Sequence, residues 1–300
     1  MSEIKSPIYL DHHATTPLDK RVLDEMMPYF TEKFGNASSL DHPFGYDASV
    51  AVEDAREKIA NAVGARHDEI VFTSGATESD NIALLGTMQK YADRGNHLIT
   101  CVTEHKAILD TAKHLESLGK KVTYLPVNKL GEIDLKELED SIADDTVMIS
   151  IMIANNEIGT IQDAKAIGEI AHRHDVIFHT DAAQAVGHIP VNVEEMSIDL
   201  MSFSAHKMYG PKGIGALYVR GVKPRVKPDG LFYGGGQERN IRSGTLNVPG
   251  IVGFGKAVEI SQKEMDSENK RFAEWSAMML EEFEKIGGVL NGHKTNRLSH

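Results

Sequence analysis

Val176-Ile177-Phe178-His179-Thr180-Asp181-Ala182-Ala183-Gln184 reads as a buried strand that runs into an acid. Leu200-Met201-Ser202-Phe203-Ser204-Ala205-His206-Lys207 repeats the pattern and runs into a lysine. Two apolar runs of this kind place a carboxylate and an amine at neighbouring strand ends. Open parallel sheets bind ligands at the carboxyl ends of their strands. An acid and an amine there can hold a pyridine ring at one side and bond to an aldehyde at the other. Pyridoxal 5'-phosphate (PLP) carries both groups.

Working outward, the strand candidates are Glu69–Thr73, His97–Val102, Lys121–Leu125, Val147–Ile153, Val176–Thr180, Leu200–Ser204 and Gly215–Val219. Helical patterns separate them at Glu78–Arg94, His105–Leu118, Leu135–Ile142 and Asp163–His174, with Val50–Val63 before the first strand. This alternation predicts an α/β fold with a mostly parallel central sheet flanked by helices. Gly213–Val219 follows its predecessor closely enough to be an antiparallel addition. Val252–Ile286 reads as a long amphipathic helix, interrupted or continuous, that leads away from the sheet and exposes apolar surface. The expected organisation is an N-terminal segment (1–16) associated with a small domain, a large cofactor-binding domain (17–260), and a linking helix with the start of that small domain (261–300). Gly287-Gly288-Val289-Leu290-Asn291-Gly292-His293 reads as a turn and an opening strand. A strand without partners is marginal, so a truncated product is expected.

Composition narrows the function classes. The net charge is −12, from 32 basic and 44 acidic residues, which disfavours nucleic acid as a direct ligand. No apolar run is long enough for a membrane span, and Met1–Pro7 lacks the apolar core of a signal peptide, so a cytoplasmic protein is expected. The single cysteine, Cys101, excludes an intrachain disulfide framework or a multi-cysteine metal site. The histidines form no convincing ligand set, and no metal is expected.

Five clusters fall at strand ends. Ser74-Gly75-Ala76-Thr77-Glu78-Ser79 joins a strand to a helix; its amides and the helix N-terminus suit a phosphate, or form a simple cap. Asp181 suits a pyridinium N–H, or caps the next turn. Lys207 suits an imine-forming role better than Lys106 or Lys212, which read as solvated. Ser204 and His206 flank it as further phosphate donors. His105 could stack on a planar ring and move protons, or be satisfied at its helix start. Asn155-Asn156-Glu157-Ile158-Gly159 could offer an amide to a phenolic oxygen or a carboxylate, or simply build a turn.

Together these stretches resemble a known pattern. Tyr9-Leu10-Asp11-His12-His13-Ala14-Thr15-Thr16-Pro17, Asn156-Glu157-Ile158-Gly159, Ser204-Ala205-His206-Lys207, Gly210-Pro211-Lys212-Gly213 and Arg242-Ser243-Gly244-Thr245 are similar to the cysteine desulfurases of the NifS/IscS type. That family lies in class V of the fold type I PLP superfamily, and the resemblance covers most of the chain. It implies that Lys207 bonds to the PLP aldehyde, Asp181 pairs with the ring nitrogen and Gln184 bonds the phenolic oxygen. His105 would stack on the ring and assist proton transfer, and Asn156 would reach the substrate or the phenolic oxygen. Ala76, Thr77, Ser204 and His206 would hold the phosphate. Thr245 would reach the phosphate of a neighbouring subunit's site, implying a homodimer. The implied reaction converts L-cysteine to L-alanine, leaving a persulfide on an enzyme cysteine. An iron–sulfur scaffold or a tRNA-thiolation relay would accept the sulfur.

One departure stands out. In that family the nucleophilic cysteine and the arginine clamping the substrate carboxylate lie in a C-terminal part beyond the residues present here. Cys101 sits in a strand-like run, where a buried thiol is the plainer expectation. The rival expectations are selenocysteine lyase or another fold type I PLP enzyme, and a catalytically inactive PLP-binding or partner-binding protein.

Overall fold

The computed structural model describes residues 7–223 and 225–300; Met1–Ser6, the head of the expected N-terminal segment, and Pro224 lie outside them. Its centre is one sheet of seven strands: β1 (Ile70–Thr73), β2 (His97–Cys101), β3 (Lys121–Leu125), β4 (Thr146–Ser150), β5 (Ile177–Asp181), β6 (Leu200–Ser204) and β7 (Gly215–Val219). Their order is β1-β7-β6-β5-β4-β2-β3. β7 runs antiparallel to both β1 and β6, and the other pairs are parallel, so the expected fold class and the antiparallel addition both hold.

Successive side chains point to opposite faces of a strand. Ile70, Phe72, Ile99, Phe178 and Phe203 therefore join one apolar cluster, while Val71, Leu98, Met148 and Leu200 join the cluster on the other face. With both faces covered, every strand but β3 is buried throughout, which explains the continuous apolar runs.

Local chemistry moved several boundaries. The helix expected from Val50 begins at Pro43, because His42 Nδ1 accepts the Gly45 N–H at 3.1 Å and proline suits the first turn. Helical structure begins at Ala76 and ends at Lys90 instead of Arg94, with a π-turn over Ile82–Gly86. Gly86 lies there against the Asp229 carbonyl, which a Cβ would meet at 2.3 Å. β4 stops at Ser150 rather than Ile153, although the Ile151 and Ile153 N–H groups still donate to the His179 and Asp181 carbonyls. Lys20–Met26 and Pro28–Thr31 are helical and had no forecast.

The long helix is continuous over 38 residues, Val248–Lys285, and starts where Asn247 Oδ1 accepts the Gly250 N–H. Its N-terminal part is buried, and Trp275, Met278 and Phe283 farther along are exposed. The stretch 287–293 is not a strand. The chain turns back instead, and an antiparallel bridge pairs Arg297 with Thr160. No helix among the described residues is long and apolar enough to cross a membrane.

Candidate active site

The carboxyl ends of β1, β2, β4, β5 and β6 open into one cavity of about 540 Å³. Ala76, Thr77, His105, Asn156, Asp181, Gln184, Ser204, His206 and Lys207 all line it. Thr245 does not; it is exposed on a separate segment.

β1 delivers the Ser74–Thr77 loop. Gly75 adopts φ +153°, a region that favours glycine, just before the helix at Ala76. Gly215 packs so closely beneath it that a Cβ would lie 2.7 Å from Gly75 Cα. Ser74 N–H donates to Glu78 Oε2 at 2.6 Å, and Glu78 Oε1 accepts from Arg242 Nε at 2.9 Å. The first helical N–H groups are orphans by geometry, and their loop lines the cavity together with Ser204 and His206.

β5 delivers Asp181. One of its oxygens accepts the Ala183 N–H at 2.8 Å. Burial pushes its pKa upward, against the pull of the Ala183 N–H, His105 and Lys207. β6 delivers Lys207 through a short 3-10 turn. Its Nζ donates to the carbonyls of His13 and Ala14. Burial lowers the lysine pKa, partly offset by Asp181 and Asp11. Burial, aided by Lys207 and Lys212, also drops the His206 pKa to about 4, so that ring is neutral beside Thr15 Oγ1 at 3.0 Å.

His105 caps the helix Lys106–Ser117: its Nδ1 accepts the Ala107 N–H at 3.1 Å, which leaves the proton on Nε2. Gln184 Nε2 donates to the His13 carbonyl at 2.9 Å. Asn155 builds its turn by accepting from the Glu157 and Ile158 N–H groups, and Asn156 is the one of the pair that faces the cavity. Lys106 lies outside the cavity; Lys212, read as solvated, lines its rim.

Sequence reasoning assigned no role to the chain segment His13–Thr15, which bonds to Lys207, Gln184 and His206. It also missed the buried acids Asp80 and Glu104. The polar run Thr77-Glu78-Ser79-Asp80-Asn81 gives no local sign that Asp80 is buried. Cys101 is buried, lies off the cavity, and its thiol pKa is pushed up by burial and by Glu104.

The donor set fits PLP: an acid inside a buried wall, a lysine with depressed basicity, a neutral imidazole, and a strand-to-helix phosphate cradle. No metal-ligating group of three exists among the described residues.

The aminotransferase class-V family profile matches residues 8–300. The chain is 53% identical to a protein of Neisseria meningitidis serogroup C named cysteine desulfurase IscS, across 98% of this chain and 73% of the relative. A Rickettsia massiliae protein of the same name is 51% identical, across 99% and 73%. Among solved structures, a NifS-like protein superposes with TM-score 0.94 at 41% identity, covering 97% of this chain and 80% of that one. A structure described as SspA in complex with cysteine gives TM-score 0.81 at 46% identity, covering 84% and 72%.

Proposed function

The chain belongs to the aminotransferase class-V family, within its PLP-dependent cysteine desulfurases of the NifS/IscS type, and from that membership we propose that it binds PLP in the described cavity and removes sulfur from L-cysteine. The supporting observation is the convergence of Lys207 and Asp181 on one cavity. Lys207 Nζ would carry the cofactor through its aldehyde, and Asp181 would hold a proton at the ring nitrogen. Ala76, Thr77, Ser204 and His206 would hold the phosphate, with Gln184 and Asn156 at the phenolic oxygen or the substrate. When bound, PLP supplies an electron sink for the substrate Cα.

The chain's own groups set the proton traffic. Burial lowers the Lys207 pKa, which favours the neutral amine that would take the Cα proton. His105 Nε2, its tautomer fixed by the Ala107 N–H, is placed to pass a proton. Sulfur transfer then needs a thiol. L-cysteine plus a thiol gives L-alanine plus a persulfide: the thiolate bonds to the substrate sulfur, the C–S bond breaks, and the electron pair left on Cβ takes a proton. Buried Cys101 is unsuited to that attack. An added thiol would supply it.

A homodimer is part of the proposal. Thr245 is exposed and away from its own cavity, while Arg242 of the same loop is tied to Glu78 beside the phosphate cradle. Phe34 and Phe44, exposed and stacked with centroids 5.7 Å apart, offer apolar surface for a second copy. Sulfur acceptors such as an iron–sulfur scaffold, and a cytoplasmic site of action, follow from the family.

The deciding experiment adds PLP to purified protein and then supplies L-cysteine with a small-molecule thiol. A visible band and stoichiometric L-alanine are expected. A colourless protein refutes PLP binding; a coloured protein that yields no alanine favours the inactive binding protein. Turnover of selenocysteine alone favours the lyase.

A further inference from the structure

Asp80 lies in the helix that follows the phosphate cradle and is fully buried. Neither of its carboxyl oxygens meets a well-formed hydrogen-bond partner among the described residues. A bare carboxylate in such a place loses its hydration without compensation. Among the described residues, no cation is set against it. His179 Nε2 lies 3.6 Å from Asp80 Oδ1. That ring is also fully buried, held by Ser150 Oγ at 2.8 Å on Nδ1 and Ser202 Oγ at 3.0 Å on Nε2. Burial depresses its pKa to about 3, so the imidazole is neutral. The charged or titratable groups acting on Asp80 are the acids Asp181 and Glu104, with the Ser202 hydroxyl beside it.

This network abuts the ring-binding acid. Ser202 pairs in register with Asp181 across β5 and β6. His179 precedes Asp181 by two positions, on the same face of β5. A charge on Asp181 drives protons onto both Asp80 and Glu104, adding to the effect of their burial. Asp181 alone of the three lines the cavity, and it alone is stabilised by Lys207 and His105.

We propose that Asp80 is a positioning residue for Asp181: a carboxylic acid that keeps its proton, packs against the His179–Ser202 pair, and leaves Asp181 as the ionised carboxylate behind the cofactor ring. This assignment rests on Asp181 being the ring-binding acid. The proton on Asp80 keeps a second negative charge out of the wall, so the field at the ring nitrogen comes from Asp181. Asp80→Asn is then the conservative replacement, since an amide is neutral and close in shape. Asp80→Ala removes both the packing and the polar contact.

Infrared difference spectroscopy of cofactor-free protein at neutral pH, wild type minus Asp80→Asn, tests the proton directly. Loss of a carboxylic-acid C=O band is expected; loss of carboxylate bands instead overturns the proposal. In the protein loaded with PLP, Asp80→Asn is expected to keep the wild-type cofactor dissociation constant and the wild-type pH midpoint of the visible band. Asp80→Ala is expected to bind PLP about tenfold more weakly. A midpoint moved by about one pH unit or more in Asp80→Asn means that a charge was removed, and overturns the proposal. Wild-type PLP affinity in Asp80→Ala overturns it as well. Should Asp80→Ala fail to fold, the infrared and Asp80→Asn results still decide. A wild-type protein that takes up no PLP defeats the functional proposal separately, and the infrared result stands apart from it.

Discussion

Lys207 Nζ donates a 3.1 Å hydrogen bond to the carbonyl oxygen of Ala14, joining groups 193 positions apart in the chain. The amine is thereby held at the cavity by backbone from the N-terminal segment, with Asp181 across the site. Backbone carbonyls orient an amine without a full negative charge, which keeps it easy to deprotonate.

Lys207→Ala should abolish covalent attachment of PLP. Borohydride reduction followed by mass spectrometry should find the adduct on Lys207 in the wild type and nowhere in the variant. An adduct retained in Lys207→Ala removes the lysine from its assigned place.

The depressed Lys207 pKa has a kinetic consequence. Burial favours the neutral amine, so its reactive fraction rises at lower pH than for an ordinary lysine. The rate of PLP attachment to cofactor-free protein should therefore rise with pH and level off below the ordinary lysine pKa. A profile still climbing through that value contradicts the desolvated lysine.

Glu104 predicts a pH-dependent stability. Burial raises its carboxyl pKa to about 8, with the Met152 N–H pulling the other way. The folded state holds a proton there that the unfolded state releases above the ordinary glutamate range, so stability is lost as pH rises toward 8. Glu104→Gln keeps an acceptor for the Met152 N–H, which Glu104 Oε1 now accepts at 2.7 Å. Denaturant titrations should show the variant gaining on the wild type as pH rises, by a few kcal/mol at most. A difference that stays flat with pH counts against a neutral Glu104.

Cys101→Ala should leave thiol-supported alanine formation within about twofold, because the thiol is buried and its pKa is raised. It should cost about 1 kcal/mol of stability for the lost packing. A variant that folds normally and yet stops turning over would reinstate Cys101 as the sulfur acceptor.

Thr245 can be tested by mixing subunits. Thr245→Ala and Lys207→Ala proteins, each impaired alone, should recover activity when unfolded and refolded together. Only a mixed dimer pairs an intact Lys207 with an intact Thr245 from the other chain. No recovery in a verified mixed dimer places Thr245 within its own subunit's site or outside the chemistry.

The alternation of apolar strand runs with helical patterns determined by itself that the sheet is mostly parallel, and the runs into Asp181 and Lys207 marked where its ligand end lies. Strand patterning is local, and a strand buried on both faces must be apolar along its whole length. The strand ends exposed the acid, the lysine and the strand-to-helix phosphate loop, because Asp181 closes β5 and the other two lie within a few residues of the ends of β6 and β1. Only the tertiary structure decided which side chains meet. The register that sets Ser202 beside Asp181, the return of His13–Thr15 to the lysine, and the placing of Asp80 among His179 and Ser202 all join residues distant in sequence. Burial is likewise a property of the packed whole. Whether Asp80 or Glu104 is charged depends on neighbours that other strands bring, which no local pattern encodes.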